Sequence, residues 1–342
     1  MKFWFERGGW ASSQARQKIS LVQPCDVEKI AVIRHAALGD MLLLRPFLGE
    51  LRKFFPNAKI TLSLVSNYLY GAPTDLVDEL HVMHGNEKKS SLRDKYAVIK
   101  SLGSVDILFD LADTHRSRYL CLLSDAKLKI GFPYRWYLRH MLLDAAVPRS
   151  DFAFEADNML DTLRLLGAKP ADPLSYCWPP EPGSSALEGP FIVYFPFASI
   201  ENKCWPQELY QELIRQLADR HPEYGHVVLG GISELESVNS YRFLERSIKN
   251  VRLQESLPLN ETLSLLREAS LVISNDTGIR NAAIAVSTPT IGVFYSTVPY
   301  RYWPKNQAHD VVFNSDGSIP DVPSVLSAVE TALAKWQDPT NV

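Results

Sequence analysis

The sequence predicts an α/β protein with two domains, each built around a parallel β-sheet, and three observations lead to this prediction. The chain has 342 residues, more than one hydrophobic core usually holds and enough for two domains. Short apolar runs alternate with longer amphipathic segments, and the alternation is interrupted once before it begins again. The connections between the apolar runs are too long for hairpins, so we expect parallel strands with helices on both faces of each sheet.

The first half begins this alternation at KIAVIRH, an apolar run of strand length, and an amphipathic segment over residues 40 to 54 then predicts a helix. The next strand is predicted at KITLSLV. A third follows at VDILFDLA, with a helix over residues 115 to 124, and a fourth at LKIGF. The order of these elements is that of successive β–α–β units.

Residues 169 to 190 interrupt the alternation, because clustered Pro, Gly and Ser residues cannot continue a helix or a central strand. We predict a linker there, an N-terminal Rossmann-like domain over residues 1 to 175 and a C-terminal one over residues 188 to 342. In the second half, strands are predicted at FIVYFPF, HVVLGG, LVISND and TPTIGVFY, and helices over about residues 206 to 220, 234 to 247, 278 to 286 and 322 to 336. The last helix is a candidate to pack back on the N-terminal domain.

The composition, with 46% hydrophobic and 22% charged residues, is that of a soluble globular protein. No apolar run approaches the roughly 18 to 20 residues that span a bilayer, and the first residues lack the apolar core of a secretory signal, so we expect a cytoplasmic protein. The four cysteines lie far apart, with no histidine at a metal-ligand spacing, and neither a metal nor a cofactor is predicted. No basic cluster with interleaved aromatic residues indicates nucleic acid.

Asp40 lies in the turn that follows the first predicted strand, in the stretch IRHAALGDMLLLRP. Parallel α/β sheets bind ligands outside the carboxyl ends of their strands, which is where this turn belongs. A carboxylate at such a place can cap the following helix, or it can serve as a general base. The turn lacks both G-x-G-x-x-G and G-x-x-x-x-G-K-[ST], which removes the main support for a nicotinamide dehydrogenase or a P-loop enzyme.

Two features of the second half are candidates to bind an anion. In LVISNDTGIRNAAIA a strand leads into Asp276, Thr277 and Gly278 at a helix start, where backbone N–H groups, a hydroxyl and a glycine together form an anion cradle. A purely structural cap would have the same sequence. Lys203, in PFASIENKCWP, follows the first strand of this half and could neutralise a departing diphosphate, or it could be an ordinary surface lysine.

Together, several segments resemble glycosyltransferase family 9 over about residues 29 to 305. They are IAVIRHAALGDMLLLRPFLGELRKFFPNAKI, FDLADTHRSRYL with KIGF, KCWP, VVLGG and NDTGIRNAAIAVSTPTIGVFY. The resemblance implies a GT-B fold, in which two Rossmann-like domains have parallel sheets facing a central cleft. It also implies an inverting, metal-independent enzyme of the ADP-heptose:lipopolysaccharide heptosyltransferase type, which transfers heptose from ADP-heptose to the lipopolysaccharide inner core.

The resemblance assigns roles to individual residues. Asp40 matches the Asp of the family's Leu/Met-Gly-Asp turn and would be the catalytic base, while Lys203 matches the lysine that contacts the donor diphosphate and would be the second catalytic residue. The implied donor-binding residues are Ser199, Lys203, Gly230, Gly231, Glu234, Asp276, Thr277, Gly278 and Asn281, with Ser233 as the alternative to Glu234. The implied acceptor-binding residues are Gly39, Arg116 and Ser117.

The sequence departs from the family's pattern at Asn281, which stands where Asp-Thr-Gly-x-x-His has its histidine. An asparagine can form hydrogen bonds to a phosphate or a sugar but carries no charge. One alternative is therefore a family member with another nucleotide-sugar donor or glycan acceptor. A second is a sugar-nucleotide-binding protein that has kept the fold without catalysis, because fold and function separate easily.

The implied partners are a nucleotide sugar, a lipid A-Kdo or core-oligosaccharide acceptor and the inner face of the inner membrane. The first 28 residues extend beyond the family's usual start, and their aromatic and basic residues could lie on a membrane interface or pack against the N-terminal domain. These residues are Lys2, Phe3, Trp4, Phe5, Arg7, Trp10, Arg16 and Lys18.

Overall fold

The computed structural model describes residues 9–85, 91–132, 140–178, 187, 189–304 and 308–337. It divides the chain into two compact units, and the chain passes from the first to the second between Cys177 and Trp178. Each unit has its own largely parallel sheet, which confirms the predicted α/β class. The predicted domain boundaries stay a prediction, since residues 179–186 and 188 of the expected linker lie outside the described part.

The first unit contains a seven-stranded sheet in the order β1-β7-β6-β5-β2-β3-β4. Its strands are β1 (Trp10–Ala11), β2 (Lys29–Ile33), β3 (Lys59–Val65), β4 (Glu79–Met83), β5 (Ser104–Asp110), β6 (Asp125–Gly131) and β7 (Ala145–Ala146). Its helices are α1 (Ser13–Ser20), α2 (Leu38–Leu42), α3 (Arg45–Phe54), α4 (Leu92–Lys100), α5 (His115–Leu123) and α6 (Glu155–Arg164). All neighbouring strands are parallel except β1 and β7.

Strand β2 lies between β3 and β5 in the interior of this sheet, where both of its faces are covered. Its register places Ile33 opposite Asp110, the last residue of β5. The chain therefore leaves the two strands side by side at the carboxyl edge. This is the edge where parallel sheets bind ligands.

The helix predicted over residues 40 to 54 is instead two helices, α2 and α3. Pro46 lies in the first turn of α3, where its missing N–H has no helical partner to lose. The buried side chain of Arg45 fixes the start of α3 by pairing with Asp75 at 2.6 Å and by donating to the Tyr176 carbonyl oxygen at 2.8 Å. A proline and the ion pair of a buried arginine with an exposed aspartate thus divide the predicted helix.

The described part of the N-terminal extension packs on the first sheet. Trp10 and Ala11 pair with Ala146 and Ala145, and the Lys18 ammonium donates to the Lys127 carbonyl oxygen at 2.7 Å. Lys2, Phe3, Trp4, Phe5 and Arg7, which the membrane hypothesis also used, lie outside the described residues. Among the helices that the structure describes, none has the length and apolar character needed to cross a membrane.

The second unit contains a six-stranded, entirely parallel sheet in the order β10-β9-β8-β11-β12-β13. Its strands are β8 (Phe191–Phe195), β9 (Gly225–Leu229), β10 (Val251–Gln254), β11 (Leu271–Asn275), β12 (Thr290–Val293) and β13 (His309–Val312). Its helices are α7 (Gln207–Arg220), α8 (Arg242–Ser247), α9 (Leu259–Glu268), α10 (Gly278–Ala285) and α11 (Val322–Gln337). The last helix, α11, contacts α7, β12 and β13 of its own unit.

The prediction of one helix over residues 234 to 247 was wrong for the first half of this range. Two 3-10 turns, Glu234–Glu236 and Val238–Tyr241, precede the short helix α8. Ser233 and Glu236 form a capping box around the first turn, and the Ser237 hydroxyl accepts the N–H of Asn239 in the second. Serine side chains that bond to nearby backbone in this way favour turns over a continuous helix.

Candidate functional site

Asp40 is the third residue of α2, at the carboxyl edge of the first sheet. The helix is preceded by Ala37 and has no side-chain cap, so Asp40 is not the helix cap that the sequence left open. Its side chain is 30% exposed, and its Oδ1 lies 3.3 Å from Nη2 of Arg34. Within the described part of the chain, its Oδ2 makes no hydrogen bond, which leaves one carboxylate oxygen able to accept a proton.

Arg34 follows β2 directly, and its side chain is only 2% exposed. Its Nη1 donates to the Leu111 carbonyl oxygen at 2.6 Å and lies 3.1 Å from Oε1 of Glu155. Glu155 is fully buried at the start of α6 and also pairs with Arg149, whose Nε donates to Oε2 at 3.2 Å. A chain of alternating charges therefore runs from Asp40 inward, which is how a protein tolerates buried ions.

Two further carboxyl groups lie at the end of β5. Asp110 is buried and accepts the N–H groups of Ala112 and Asp113 at 3.1 Å each, and its burial raises its pKa. Asp113 has a left-handed backbone, with φ of 52°. Burial, and after it the charge of Asp110, raise the pKa of Asp113 to about 8, against the opposing effect of Arg149. Asp113 is therefore mostly protonated at neutral pH and can donate a hydrogen bond.

The predicted acceptor residues have different surroundings. Gly39 is buried in α2 beside Asp40. Ser117 is fully buried and forms a capping box with Thr114, in which the Thr114 N–H donates to the Ser117 hydroxyl at 2.9 Å. The structure thus gives Ser117 a role in beginning α5, and its contact with an acceptor stays a prediction.

Arg116 lines a cavity of about 570 Å³ between the end of β4 and the helices α4 and α5. The cationic and imidazole side chains in its lining come from His84, Lys95, His115 and Arg116, and Tyr96 and Tyr119 add exposed aromatic rings. Its described lining contains no carboxylate. Such a cavity favours a ligand with both anionic groups and an apolar or saccharide surface.

Lys203 and Asp276 meet at the carboxyl edge of the second sheet. Lys203 ends the 3-10 turn Glu201–Lys203 after β8, and Asp276 follows β11, the neighbouring strand. The Lys203 ammonium donates to Oδ2 of Asp276 at 2.6 Å, and the Thr297 hydroxyl donates to the same oxygen at 2.9 Å. The sequence named Lys203 and Asp276 separately and missed Thr297, which lies in the segment after β12.

Asn275 connects β11 to the Lys203 loop, which is the segment over residues 196–206 between β8 and α7. It is fully buried, and its Oδ1 accepts the backbone N–H of Trp205 at 3.0 Å while its Nδ2 donates to the Phe197 carbonyl oxygen at 3.4 Å. The loop is thus attached on both sides of Lys203 to the residue that precedes Asp276. No local pattern predicts this role, although an asparagine that ends an apolar strand is itself unusual.

The Asp276-Thr277-Gly278 turn leads directly into α10. The Thr277 hydroxyl accepts the N–H of Ile279 at 3.0 Å, so the capping role that the sequence allowed is present. A hydroxyl that accepts in this way can still donate its hydrogen to a ligand. Asn281 lies one turn further on and is 5% exposed.

A family model described as glycosyltransferase family 9 (heptosyltransferase) matches residues 95–325, most of the chain. The chain belongs to glycosyltransferase family 9. Among curated relatives of this family-9 chain is lipopolysaccharide heptosyltransferase 3 of Escherichia coli, which is 26% identical over 296 residues, or 78% of this chain and 84% of the relative. The same enzyme from strain K12 is 24% identical over 291 residues, or 78% of this chain and 83% of the relative.

Solved structures of low identity share the fold. The E. coli heptosyltransferase WaaC with ADP-2-deoxy-2-fluoro heptose superposes with a TM-score of 0.71 at 18% identity, covering 89% of this chain and 99% of WaaC. The E. coli ADP-heptose lps heptosyltransferase II superposes with a TM-score of 0.68 at 20% identity, covering 91% of this chain and 100% of that enzyme. A glycosyltransferase family 9 protein of Veillonella parvula DSM 2008 superposes with a TM-score of 0.71 at 20% identity, covering 90% of this chain and 97% of that protein. The likeness confirms the predicted GT-B fold class.

The remaining donor residues predicted from family 9 lie on loops after β8 and β9. Ser199 is exposed in the Lys203 loop. A Cβ on Gly231 would lie 2.7 Å from Cβ of Glu236, which cannot turn away as a side-chain end could, so this position needs a glycine. Glu234 is exposed, whereas Glu236 is half-buried and bonds the Ser233 N–H at 3.2 Å. Ser233, the alternative to Glu234, is therefore engaged with Glu236 in the capping box of the turn, whereas the side chain of Glu234 is exposed.

Proposed function

We propose that this protein is an inverting, metal-independent heptosyltransferase that transfers heptose from ADP-heptose to the inner core of lipopolysaccharide. Membership of family 9 and the names of its relatives support the reaction class. The observation that carries the proposal is the Lys203 ammonium, held 2.6 Å from Asp276 at the carboxyl edge of the second sheet. A cation at this edge of a Rossmann-like sheet suits a nucleoside diphosphate.

The second unit would bind the donor. The diphosphate would take one or more of the hydrogen bonds that Lys203 can donate, and Thr297 would keep the shared Asp276 oxygen satisfied as Lys203 turns to the phosphates. Backbone N–H groups at the start of α10, behind Gly278, would add donors that are already oriented. Fixed donors of this kind stabilise the charge that develops on a leaving group without a divalent ion.

The first unit would supply the base. As the acceptor hydroxyl oxygen bonds to the anomeric carbon of heptose, its proton passes to Oδ2 of Asp40, and the bond from that carbon to the β-phosphate oxygen breaks. The bonding electrons leave with ADP, whose new negative charge meets Lys203. A single displacement with one base inverts the anomeric configuration, and it uses one carboxylate, as Asp40 provides.

The acceptor would be the phosphorylated inner core attached to lipid A. The cavity beside Arg116 supports this, because it offers Lys95, two imidazoles and two tyrosines without a carboxylate in its described lining. An acceptor anchored in lipid would place the enzyme in the cytoplasm against the inner face of the inner membrane.

Transfer to truncated lipopolysaccharide from ADP-heptose and a panel of other nucleotide sugars tests the function directly. We expect ADP-heptose to be the preferred donor, the product anomer to be inverted, and the rate to survive excess chelator. Preference for another nucleotide sugar would support the alternative suggested by Asn281. Strict dependence on Mg²⁺ or Mn²⁺, or a product with retained configuration, would overturn the mechanism.

The base is tested by Asp40→Asn, which keeps the size of the side chain but removes its ability to take a proton. We expect kcat to fall by roughly 10² to 10⁴, the usual contribution of a general base, while ADP affinity measured by calorimetry is unchanged. Near-normal turnover would exclude Asp40 as the base.

A further inference from the structure

The grip of Arg34 on Asp40 is asymmetric. Nη2 of Arg34 contacts only Oδ1 of the carboxylate, at 3.3 Å, and Oδ2 makes no hydrogen bond within the described residues. A carboxylate held through one oxygen has fewer accessible rotamers and leaves the other oxygen as the proton acceptor. A free aspartate at a 30% exposed position would instead sample several rotamers.

Arg34 itself cannot follow Asp40 if the latter moves. Its guanidinium is 2% exposed and is bound by the Leu111 carbonyl oxygen at 2.6 Å and by Glu155 at 3.1 Å, on two further elements of the same unit. These partners come from the end of β5 and the start of α6. The position of the Nη2 donor is therefore set by the sheet and a helix, and not by the α2 turn.

The charges around Arg34 explain why so buried a cation is tolerated. The half-exposed Asp40 pairs with Arg34 on one side, and the fully buried Glu155, shared with Arg149, pairs with it on the other. At the end of β5, the charges of Asp110 and Arg149 act on Asp113 in opposite directions. His35, next to Arg34, is neutral because burial lowers its pKa to about 3. Glu155 thus compensates a charge that Asp40, once protonated during the reaction, no longer balances.

From this geometry we propose that Arg34 is a positioning residue, which holds the Asp40 carboxylate by one oxygen and directs the other oxygen to the acceptor hydroxyl. The inference rests on the proposed function, because it requires Asp40 to be the base. Its role is distinct from donor binding, since every contact named here lies in the first unit. Arg34 acts on the rate only through Asp40.

The test is a double-mutant cycle on the full chain with Arg34→Gln, Asp40→Asn and the double variant, assayed with ADP-heptose and truncated lipopolysaccharide. We expect Arg34→Gln to lower kcat by up to about 100-fold, the cost of a misplacement of about 1 Å, with the donor KM and ADP affinity within about twofold of wild type. When Asp40 is already asparagine, the same change should lower kcat by less than about threefold, because the residue through which Arg34 acts is gone. Arg34→Lys, which keeps the charge, should recover part of the rate.

Arg45→Gln is the matched control, since Arg45 is another buried arginine of this unit with a carboxylate and backbone carbonyl partners. Arg45→Gln should change kcat by the same factor in wild type and in the Asp40→Asn variant. An Arg34→Gln loss that multiplies with that of Asp40→Asn would make Arg34 structural and overturn the inference, while leaving the proposed function intact. If Arg34→Gln does not fold, the same cycle with Arg34→Lys decides. Normal turnover by Asp40→Asn would instead remove the base from the proposed function, and the inference with it.

Discussion

At the scale of single residues, the fold changes the protonation of Asp113 more than the sequence indicates. Burial and the neighbouring Asp110 raise its pKa to about 8 from the ordinary 3.8. In the unfolded chain the carboxyl group ionises at low pH, whereas in the folded protein it stays protonated until the pH approaches that raised value. The stability that it contributes is therefore complete below about pH 4 and is lost as the pH rises toward 8.

Asp113→Asn should remove this dependence, because asparagine resembles the protonated form and tolerates the left-handed backbone at this position. We expect the free energy of unfolding of the variant to exceed that of wild type by about 1 kcal/mol or more at about pH 7 and to differ little from it at about pH 4. Each unit by which folding raises the pKa of a group can change the free energy of unfolding by at most about 1.4 kcal/mol. Urea unfolding at the two pH values measures it. An equal change at both would show that Asp113 is ionised in the folded protein.

A substitution at Lys203 should change the affinity for ADP and not the free energy of unfolding. Lys203→Ala removes the ammonium that pairs with Asp276, and we expect ADP affinity to fall by about 1.5 to 3 kcal/mol, as for a hydrogen bond to a charged group. Calorimetric titration with ADP measures the loss. Lys249→Ala, at an exposed lysine just before β10 and thus at the amino edge of the same sheet, is the control and should bind ADP as wild type does. Unchanged affinity in Lys203→Ala would remove Lys203 from the donor site.

At the scale of elements, the position of the Lys203 loop depends on Asn275. Asn275→Ala should free the Trp205 N–H and the Phe197 carbonyl oxygen from their buried partner, and the loop should then hold Lys203 less firmly. We expect a loss of stability of about 1 to 3 kcal/mol together with weaker ADP binding. Asn250→Ala is the matched control, because Asn250 likewise joins separate backbone segments: its Nδ2 donates to the carbonyl oxygens of Ala218 and Tyr224, away from the carboxyl edge. It should cost stability and leave ADP affinity unchanged.

Local sequence predicted the inner strands of both sheets and missed the strands β1, β4, β7, β10 and β13 and the helices α1, α4, α6 and α9. Two helices that it did predict were wrong where a distant partner or a competing side chain decides. The strands at KIAVI and LVISN are confirmed, since an apolar run of that length between amphipathic segments has few alternatives. The helix over residues 40 to 54 divides because Arg45 pairs with Asp75, thirty residues along the chain, which no local pattern contains. The predicted helix start at residue 234 gave way to turns because Ser233 and Ser237 bond to the backbone nearby.

The same limit applies to the site. Asp40, Lys203 and Asp276 could be named from the sequence, because the segment that leads from a buried parallel strand into the next helix lies at the carboxyl edge of the sheet. Arg34 also directly follows a strand, so the sequence could have placed it at the same edge. Its role could not be predicted, because it depends on the ion pair with Glu155, more than one hundred residues further along the chain. Thr297 and Asn275 became visible only through hydrogen bonds between separate loops.

At the scale of the whole molecule, the two units divide the proposed work. All contacts of Lys203, Asp276 and Thr297 described above lie within the second unit, and all contacts of Asp40, Arg34 and Glu155 lie within the first. The donor residues and the base therefore belong to bodies with separate cores. This division predicts where ADP should alter the dynamics of the chain.

Hydrogen exchange of the full chain with and without saturating ADP tests that division. A bound ligand slows exchange where it suppresses local opening. We therefore expect protection in residues 196–206 and 230–237, which follow β8 and β9, and in residues 276–285, the turn and helix α10 that follow β11. Residues 29–42, which contain β2 and Asp40, should exchange as in the free protein, because ADP carries no acceptor hydroxyl for the base to bind. Lys203→Ala should reduce the protection at a fixed ADP concentration, and Asp40→Asn should not. Protection of residues 29–42 by ADP alone would show that the first unit contacts the nucleotide and that base and donor site are not divided in this way.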